Sequence, residues 1–200
     1  DPSLLIDTIL PPDNIVGSVV YPACEIVKPG TIKHIAGNRF SLGEPEGIES
    51  ARLKFISDLL KRAGFRAPIQ KNIRDEIWLK LIGNLSFNPI SALTGATLEQ
   101  ICNDQGTEAI VRAMMTEAKI IAEELGAKIN MSIEKRIDGA RKVGAHKTSM
   151  LQDIEAGKPI EIDSIIIAVK ELGELTCSPT PYIDTILNLT LQKAKIIGCL

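Results

Sequence analysis

Cysteine is sparse and scattered: Cys24, Cys102, Cys177 and Cys199 stand far apart, and no Cys-x-x-Cys pair occurs. That spacing excludes a sequence-local zinc site or a dense disulfide framework. It suits reduced thiols in a cytoplasmic protein, acting as small core hydrophobes. Histidine is scarcer: His34 and His146 have no partner His or Cys at metal-ligand spacing, so no metal is expected. No nucleophile-elbow pattern supports a Ser-His-Asp triad. Basic residues are not in excess, with 23 Lys and Arg against 25 Asp and Glu and a net charge of −2. No nucleic-acid surface is implied. Long apolar runs are missing too. The longest purely aliphatic one, Ile165 to Val169, is far short of the roughly 20 residues that cross a bilayer. Asp1-Pro2 has no basic segment before an apolar core, so no secretory signal is read. Finally, there is no Gly-x-Gly-x-x-Gly and no Walker A loop. A phosphate cradle, if the protein has one, is expected upstream of Asp1. The start without Met reads as a fragment.

What remains is ordinary globular composition: 200 residues, 44% hydrophobic and 24% charged. Residues 4–10 fit the end of an apolar helix or strand, closed by Pro11-Pro12-Asp13. Residues 15–21 are β-branched and aromatic and read as a strand. Pro29-Gly30 is a turn, and residues 31–36 alternate as a half-exposed strand. Gly37-Asn38-Arg39 turns the chain again into a short strand at 40–43. The expectation is thus a strand followed by a hairpin of 31–36 with 40–43. Residues 48–63 carry a helical apolar spacing, stopped by Gly64. After Asn72 every candidate is a helix: 73 to about 87, 97–102, 108–125, 133–143, 150–156, 161–172 and 181–197. The organisation is an α/β piece, residues 1–68, followed by an all-α domain, residues 69–200.

Within the first long helix, Lys80, Asn84 and Asn88 recur at four-residue intervals. Each such step advances about 40°, so the three polar groups line one stripe. Trp78, Leu81, Ile82 and Leu85 occupy the flanks that pack. Asn is a poor helix-interior residue because its amide competes for backbone partners. The stripe is either solvated and structural, or one polar wall of a small-molecule site with Lys80 as proton donor. Pro89 should kink or end the helix.

A second constellation is Ser149-Met150-Leu151-Gln152-Asp153, followed by Glu161-Ile162-Asp163. Ser149 with Gln152 reads as a capping box. Glu161 and Asp163 read as acids in the next helix's first turn, where the macrodipole favours them. The functional reading keeps these caps and adds a carboxylate ligand at the helix start.

Arg74-Asp75-Glu76-Ile77-Trp78-Leu79-Lys80-Leu81-Ile82-Gly83-Asn84, with Asn88-Pro89-Ile90-Ser91-Ala92-Leu93-Thr94-Gly95, resembles the signature of the ketopantoate reductases (2-dehydropantoate 2-reductases). The Ser149–Asp153 and Glu161–Asp163 segments agree in order and spacing. So does Pro29-Gly30 followed by His34 and Gly37. The resemblance implies an NADPH-binding Rossmann-type domain, of which residues 1–68 would be the end. It also implies an all-α domain like the C-terminal domain of 6-phosphogluconate dehydrogenase, the two forming a cleft. The implied reaction is NADPH-dependent reduction of a 2-oxo acid, 2-dehydropantoate to pantoate, on the route to pantothenate. Lys80 would then be the general acid. Asn84 and Asn88 would hold substrate hydroxyl and carbonyl groups, and Ser149 the substrate carboxylate. Glu161 would reach the nicotinamide ribose or a substrate hydroxyl, and the backbone at Ala23 would touch the cofactor. Two positions depart from the family: Leu98 and His146 stand where amides are common, at places that would read the substrate.

Two other readings stay open on residues alone. One is a non-catalytic helical module for dimerisation or ligand binding, since long apolar helices leave room for a homodimer. The other is a related dehydrogenase acting on another hydroxy acid.

Overall fold

A computed structural model describes Pro11 and residues 14–200; the expected element at 4–10 lies outside them. The chain divides into two compact units, the first ending at Ile77 and the second running Trp78–Leu200.

Among its described residues the first unit carries four short strands: β1 (Gly17–Val20), β2 (Ala23–Lys28), β3 (Thr31–Ala36) and β4 (Phe40–Gly43). They form two antiparallel pairs, β1 with β4 and β2 with β3. The expected hairpin of 31–36 with 40–43 is therefore wrong, and β2 was missed. Pro29-Gly30 closes the hairpin, because Gly30 takes φ +76° and joins β2 to β3. Gly37, at φ +74°, then sends the chain back past Tyr21, whose N–H donates to Arg39 O at 2.9 Å. A side chain at Gly37 would stand 2.7 Å from Tyr21 O, so only glycine allows this close return. β4 consequently zips onto β1, with Gly17 opposite Gly43 and Val20 opposite Phe40. Its other edge is met in parallel by residues 66–70, through Phe40 N–H to Arg66 O and Leu42 N–H to Pro68 O.

Helix α1 (Ala51–Arg62) is capped by Ser50, which accepts from Leu53 N–H. Gly64 ends it at φ +91°, as expected. Leu53 on α1 packs with Leu42 and Ala67 as this unit's core. A carboxylate knot ties the unit together. Glu76 Oε1 accepts from Tyr21 Oη at 2.7 Å, from an Arg39 guanidinium N–H at 2.6 Å and from Ser41 Oγ at 3.0 Å.

Helix α2 (Ile73–Thr94) runs across the division between units. It does not stop near Phe87; it continues through Pro89 to Thr94. A proline inside a helix costs about 3 kcal/mol. Residues 85–92 are all buried, however, with Leu85 at 0% and Phe87 at 4% exposure. Burying each such side chain contributes roughly 1.5–3 kcal/mol, so packing outweighs the break. The last carbonyls of α2 are held from elsewhere, as Lys193 Nζ donates to Ala92 O at 2.5 Å and to Leu93 O at 3.1 Å.

The second unit continues with α3 (Leu98–Asn103), α4 (Gln105–Glu124), α5 (Ile133–Val143), α6 (Ser149–Glu155), a π turn (Asp163–Ile167) running into α7 (Ala168–Leu175), and α8 (Pro181–Ile197). α4 begins before Glu108 because Asp104 accepts from Thr107 N–H at 2.8 Å. It is the central helix, packing on α3, α5, α7 and α8. Its Val111, Met114, Met115, Ala118, Ile121 and Ala122 are fully buried. α8 opens on Pro181, as expected. Its orphan amides are met by α4: Glu117 accepts from Tyr182 N–H and Ile183 N–H, both at 2.9 Å.

All four cysteines are free thiols. Only Cys102 and Cys199 are buried, and Cys24 and Cys177 are exposed, which corrects the expectation of four core hydrophobes. Among the described residues no helix is long and apolar enough to cross a membrane.

Candidate active site

The face of α2 bearing Trp78, Ile82 and Leu85 enters the core of the second unit. Lys80, Asn84 and Asn88 therefore lie on the other side of the helix, as their four-residue spacing requires. Lys80 and Asn84 are half-buried, and Asn88 is only 5% exposed. The stripe thus runs from a partly open end at Lys80 to a closed end at Asn88. The Asn88 side-chain Nδ2 is buried and finds no hydrogen-bond partner among the described residues. A buried amide donor left unmet costs about 1–3 kcal/mol, which marks the position for explanation.

Two opposed effects act on Lys80. Burial pushes its ammonium below the ordinary lysine range, and the Glu161 carboxylate pulls it back up. The fold has therefore brought residues 81 positions apart close enough to interact. Glu161 is exposed and sits just before the helical residue Ile162, so it precedes the helix instead of lying in its first turn. Asp163 does lie in that turn, within the π segment.

The cap on α6 is also displaced from expectation. Thr148, not Ser149, is the N-cap, accepting from Leu151 N–H at 3.3 Å, and it is buried. Gln152 does not complete a capping box; its side-chain amide donates to Lys147 O. A buried threonine has less freedom than an exposed serine to leave the helix end, which explains why the cap moved by one. Ser149 is left exposed in the first turn, its hydroxyl released from capping. His146 is exposed, and its carbonyl accepts from Leu98 N–H at 2.9 Å. The two positions that depart from the family are therefore neighbours in space. Ala23 belongs to the first unit, where it opens β2 half-buried, beside a bulge and paired with Ala36. Among the described residues no group of three or more His, Cys, Asp or Glu could hold a metal ion.

Two features escaped the sequence. Glu76 stands four residues before Lys80 and extends the stripe by one turn; that spacing was available, but its partners Tyr21, Arg39 and Ser41 were not. Burial, together with the Glu76 carboxylate that its hydroxyl contacts, raises the Tyr21 pKa to about 12. The Arg39 guanidinium stacks 3.9 Å from the centre of its ring. The π turn had no local signal at all.

Comparison with known proteins bears on the same residues. The family model "Ketopantoate reductase PanE/ApbA C terminal" matches residues 72–194. A 2-dehydropantoate 2-reductase from Mesorhizobium japonicum is 52% identical over 199 residues, which are 100% of this chain and 61% of that protein. A Ralstonia solanacearum crystal structure of a candidate ketopantoate reductase superposes with TM-score 0.93 at 42% identity, covering 100% of this chain and 61% of that one. The ternary structure of D-mandelate dehydrogenase with NADH and anilino(oxo)acetate superposes with TM-score 0.88 at 21% identity, over 99% and 66% of the two chains, a likeness of fold alone. The chain spans about three fifths of the length of that curated relative.

Proposed function

The chain belongs to the ketopantoate reductase family, and from that premise we propose that it supplies the substrate side of an NADPH-dependent 2-oxo acid reductase converting 2-dehydropantoate to pantoate. The observation that carries this reading is the stripe itself: a half-buried ammonium aligned with a buried amide donor that has no partner among the described residues.

The residues fit one end of a nicotinamide cofactor. Glu161 offers an exposed carboxylate able to accept from ribose hydroxyls, and the backbone at Ala23 is a further proposed contact. The pyrophosphate has no glycine-rich cradle in residues 1–200, so that part is proposed to come from outside them, with residues 1–68 the end of a Rossmann-type domain. When bound, the reduced cofactor supplies a hydride to the keto carbon. The chain's own residues do the rest. Asn88 Nδ2 donates to a substrate oxygen and thereby gains its missing bond. Asn84, one turn from the closed end, holds a hydroxyl. Ser149, free of capping duty, donates to the carboxylate. Lys80 donates its proton to the oxygen that becomes the alcohol. Burial makes that proton easier to give than an exposed lysine's, and Glu161 keeps the group charged until it is needed.

In the full-length protein, Lys80→Ala should lower turnover by about two to four orders of magnitude, the span typical of a lost general acid, while NADPH still binds. Near-normal turnover would end the role given to Lys80. One observation favours a different 2-oxo acid within the same chemistry. Leu98 offers no side-chain hydrogen bond, packs against the core, and its N–H is already taken by His146 O. A panel of 2-oxo acids, read by NADPH oxidation, separates the two; higher kcat/KM for an apolar analogue would favour the second.

A further inference from the structure

An acid and a base four residues apart on a helix face each other, and the order with the acid first is the favourable one. Glu76 and Lys80 stand in that order on α2. A helical side chain also leans toward the N-terminus, which brings the Lys80 stem back over the turn of Glu76. Local chemistry therefore calls for a Glu76–Lys80 ion pair. The fold makes a different one: among the described residues the ion-pair partner of Glu76 is Arg39, at 2.6 Å.

Three donors converge on that carboxylate, and all reach the same oxygen. Tyr21 Oη stands 2.7 Å from Oε1, an Arg39 guanidinium nitrogen 2.6 Å and Ser41 Oγ 3.0 Å. Their places are set by strand pairing. Ser41 lies in β4 opposite Val19 and is fully buried. Tyr21 and Arg39 are joined by the bond from Tyr21 N–H to Arg39 O, and the guanidinium lies on the Tyr21 ring. The Glu76 side chain is left only 12% exposed. Hydrogen bonds to an ionised group are among the strong ones, whereas an open helical ion pair is weak. The strands therefore take the carboxylate from the helix.

The consequence falls on Lys80. A carboxylate paired with it would stabilise the ammonium and make it a poorer acid. The same attraction would draw it toward the helix start, away from Asn84. We propose that Tyr21, Arg39 and Ser41 are positioning residues that hold the Glu76 carboxylate off Lys80, so that the ammonium serves the substrate instead of the helix. This rests on the role given to Lys80 above. The charged and titrating groups that bear on the pair are Glu161 on Lys80, and Tyr21 and Arg39 on Glu76. Asp75, next in the chain to Glu76, accepts from Asn72 Nδ2 at 2.7 Å.

The test is a cycle in the full-length enzyme, assayed with 2-dehydropantoate and NADPH: Tyr21→Phe with Arg39→Met, Glu76→Gln, and all three together. A general acid is lost as pH rises through its pKa, so the basic limb of the kcat/KM profile reports Lys80. Removing the two donors should move that limb to higher pH by about 0.5 unit. It should also lower kcat/KM about 10-fold, the cost of a misplaced group. Glu76→Gln by itself should leave the limb in place. Added to the donor variant, it should return the limb to the parental pH and kcat/KM to within about twofold of Glu76→Gln. Arg39→Lys, which keeps the charge, should also keep the limb. If the donor variant does not fold by circular dichroism, Arg39→Met alone is read in the same way. A limb that stays put, or one that moves and is not restored by Glu76→Gln, would overturn the role of the three donors alone. Near-normal turnover by Lys80→Ala would overturn the role of Lys80 and theirs with it.

Discussion

Tyr21 and Lys80 are both partly buried titrating groups, and burial moves them in opposite directions. For a lysine the charged form is the acid, so burial lowers its pKa; for a tyrosine the charged form is the base, so burial raises it. Lys80 falls below the 10.5 of an ordinary lysine, with Glu161 opposing. Its folded form binds its proton less firmly than the unfolded chain does. The resulting penalty on folding is present below the folded pKa and fades as pH rises toward 10.5. Tyr21 rises from 10.0 to about 12, because burial and the Glu76 carboxylate both disfavour the phenolate. Its contribution to stability is complete below pH 10 and is lost as pH climbs through about 12. Tyrosinate absorbance, taken as the difference between parent and Tyr21→Phe, should therefore appear near pH 12. A difference signal centred on pH 10 would mean that the Glu76 knot is absent in solution.

Among elements, the termini and breaks of helices show what packing can override. Pro89 would stop an isolated helix, yet α2 passes through it because its neighbours are buried on every side. α8 has no side-chain cap at Thr180, yet its first amides are met by Glu117 from the middle of α4. That carboxylate is 9% exposed and makes two charge-assisted bonds to a helix N-terminus. Glu117→Gln keeps the shape but loses the charge. It should cost about 1–2 kcal/mol, the range for a lost cap or helix-dipole partner. Urea denaturation should show a lower midpoint at unchanged slope. An unchanged midpoint would mean that water serves the α8 terminus equally well. The β2–β3 hairpin is the counter-case: it has little to pack on, and Ile26 and Ile32 stay 74% and 70% exposed, so its turn chemistry alone defines it.

The whole molecule is two units with separate cores, one small and built on Leu42, Leu53 and Ala67, the other large and centred on α4. Neither the sequence nor the described residues contain a glycine-rich strand–turn–helix of the kind that holds a pyrophosphate. Residues 1–200 produced alone should therefore bind NADPH weakly or not at all by calorimetry. Micromolar affinity would show that a cofactor site is complete within them.

The sequence by itself determined that residues beyond Asn72 are helical and where most of those helices stop. Local rules suffice there: apolar spacing at three and four, Gly126 and Gly157 at positive φ, Pro181 at a helix start. It also placed Lys80, Asn84 and Asn88 on one stripe, since helical spacing is a property of the chain alone. Strand pairing was not legible, because a partner is chosen by where a distant segment returns; Gly37 passing Tyr21 decided it. Only the tertiary structure brought Glu161 to Lys80, buried Asn88 Nδ2 without a partner among the described residues and moved the α6 cap from Ser149 to Thr148. Those outcomes depend on which faces are excluded from water, and burial is settled between elements, not within them.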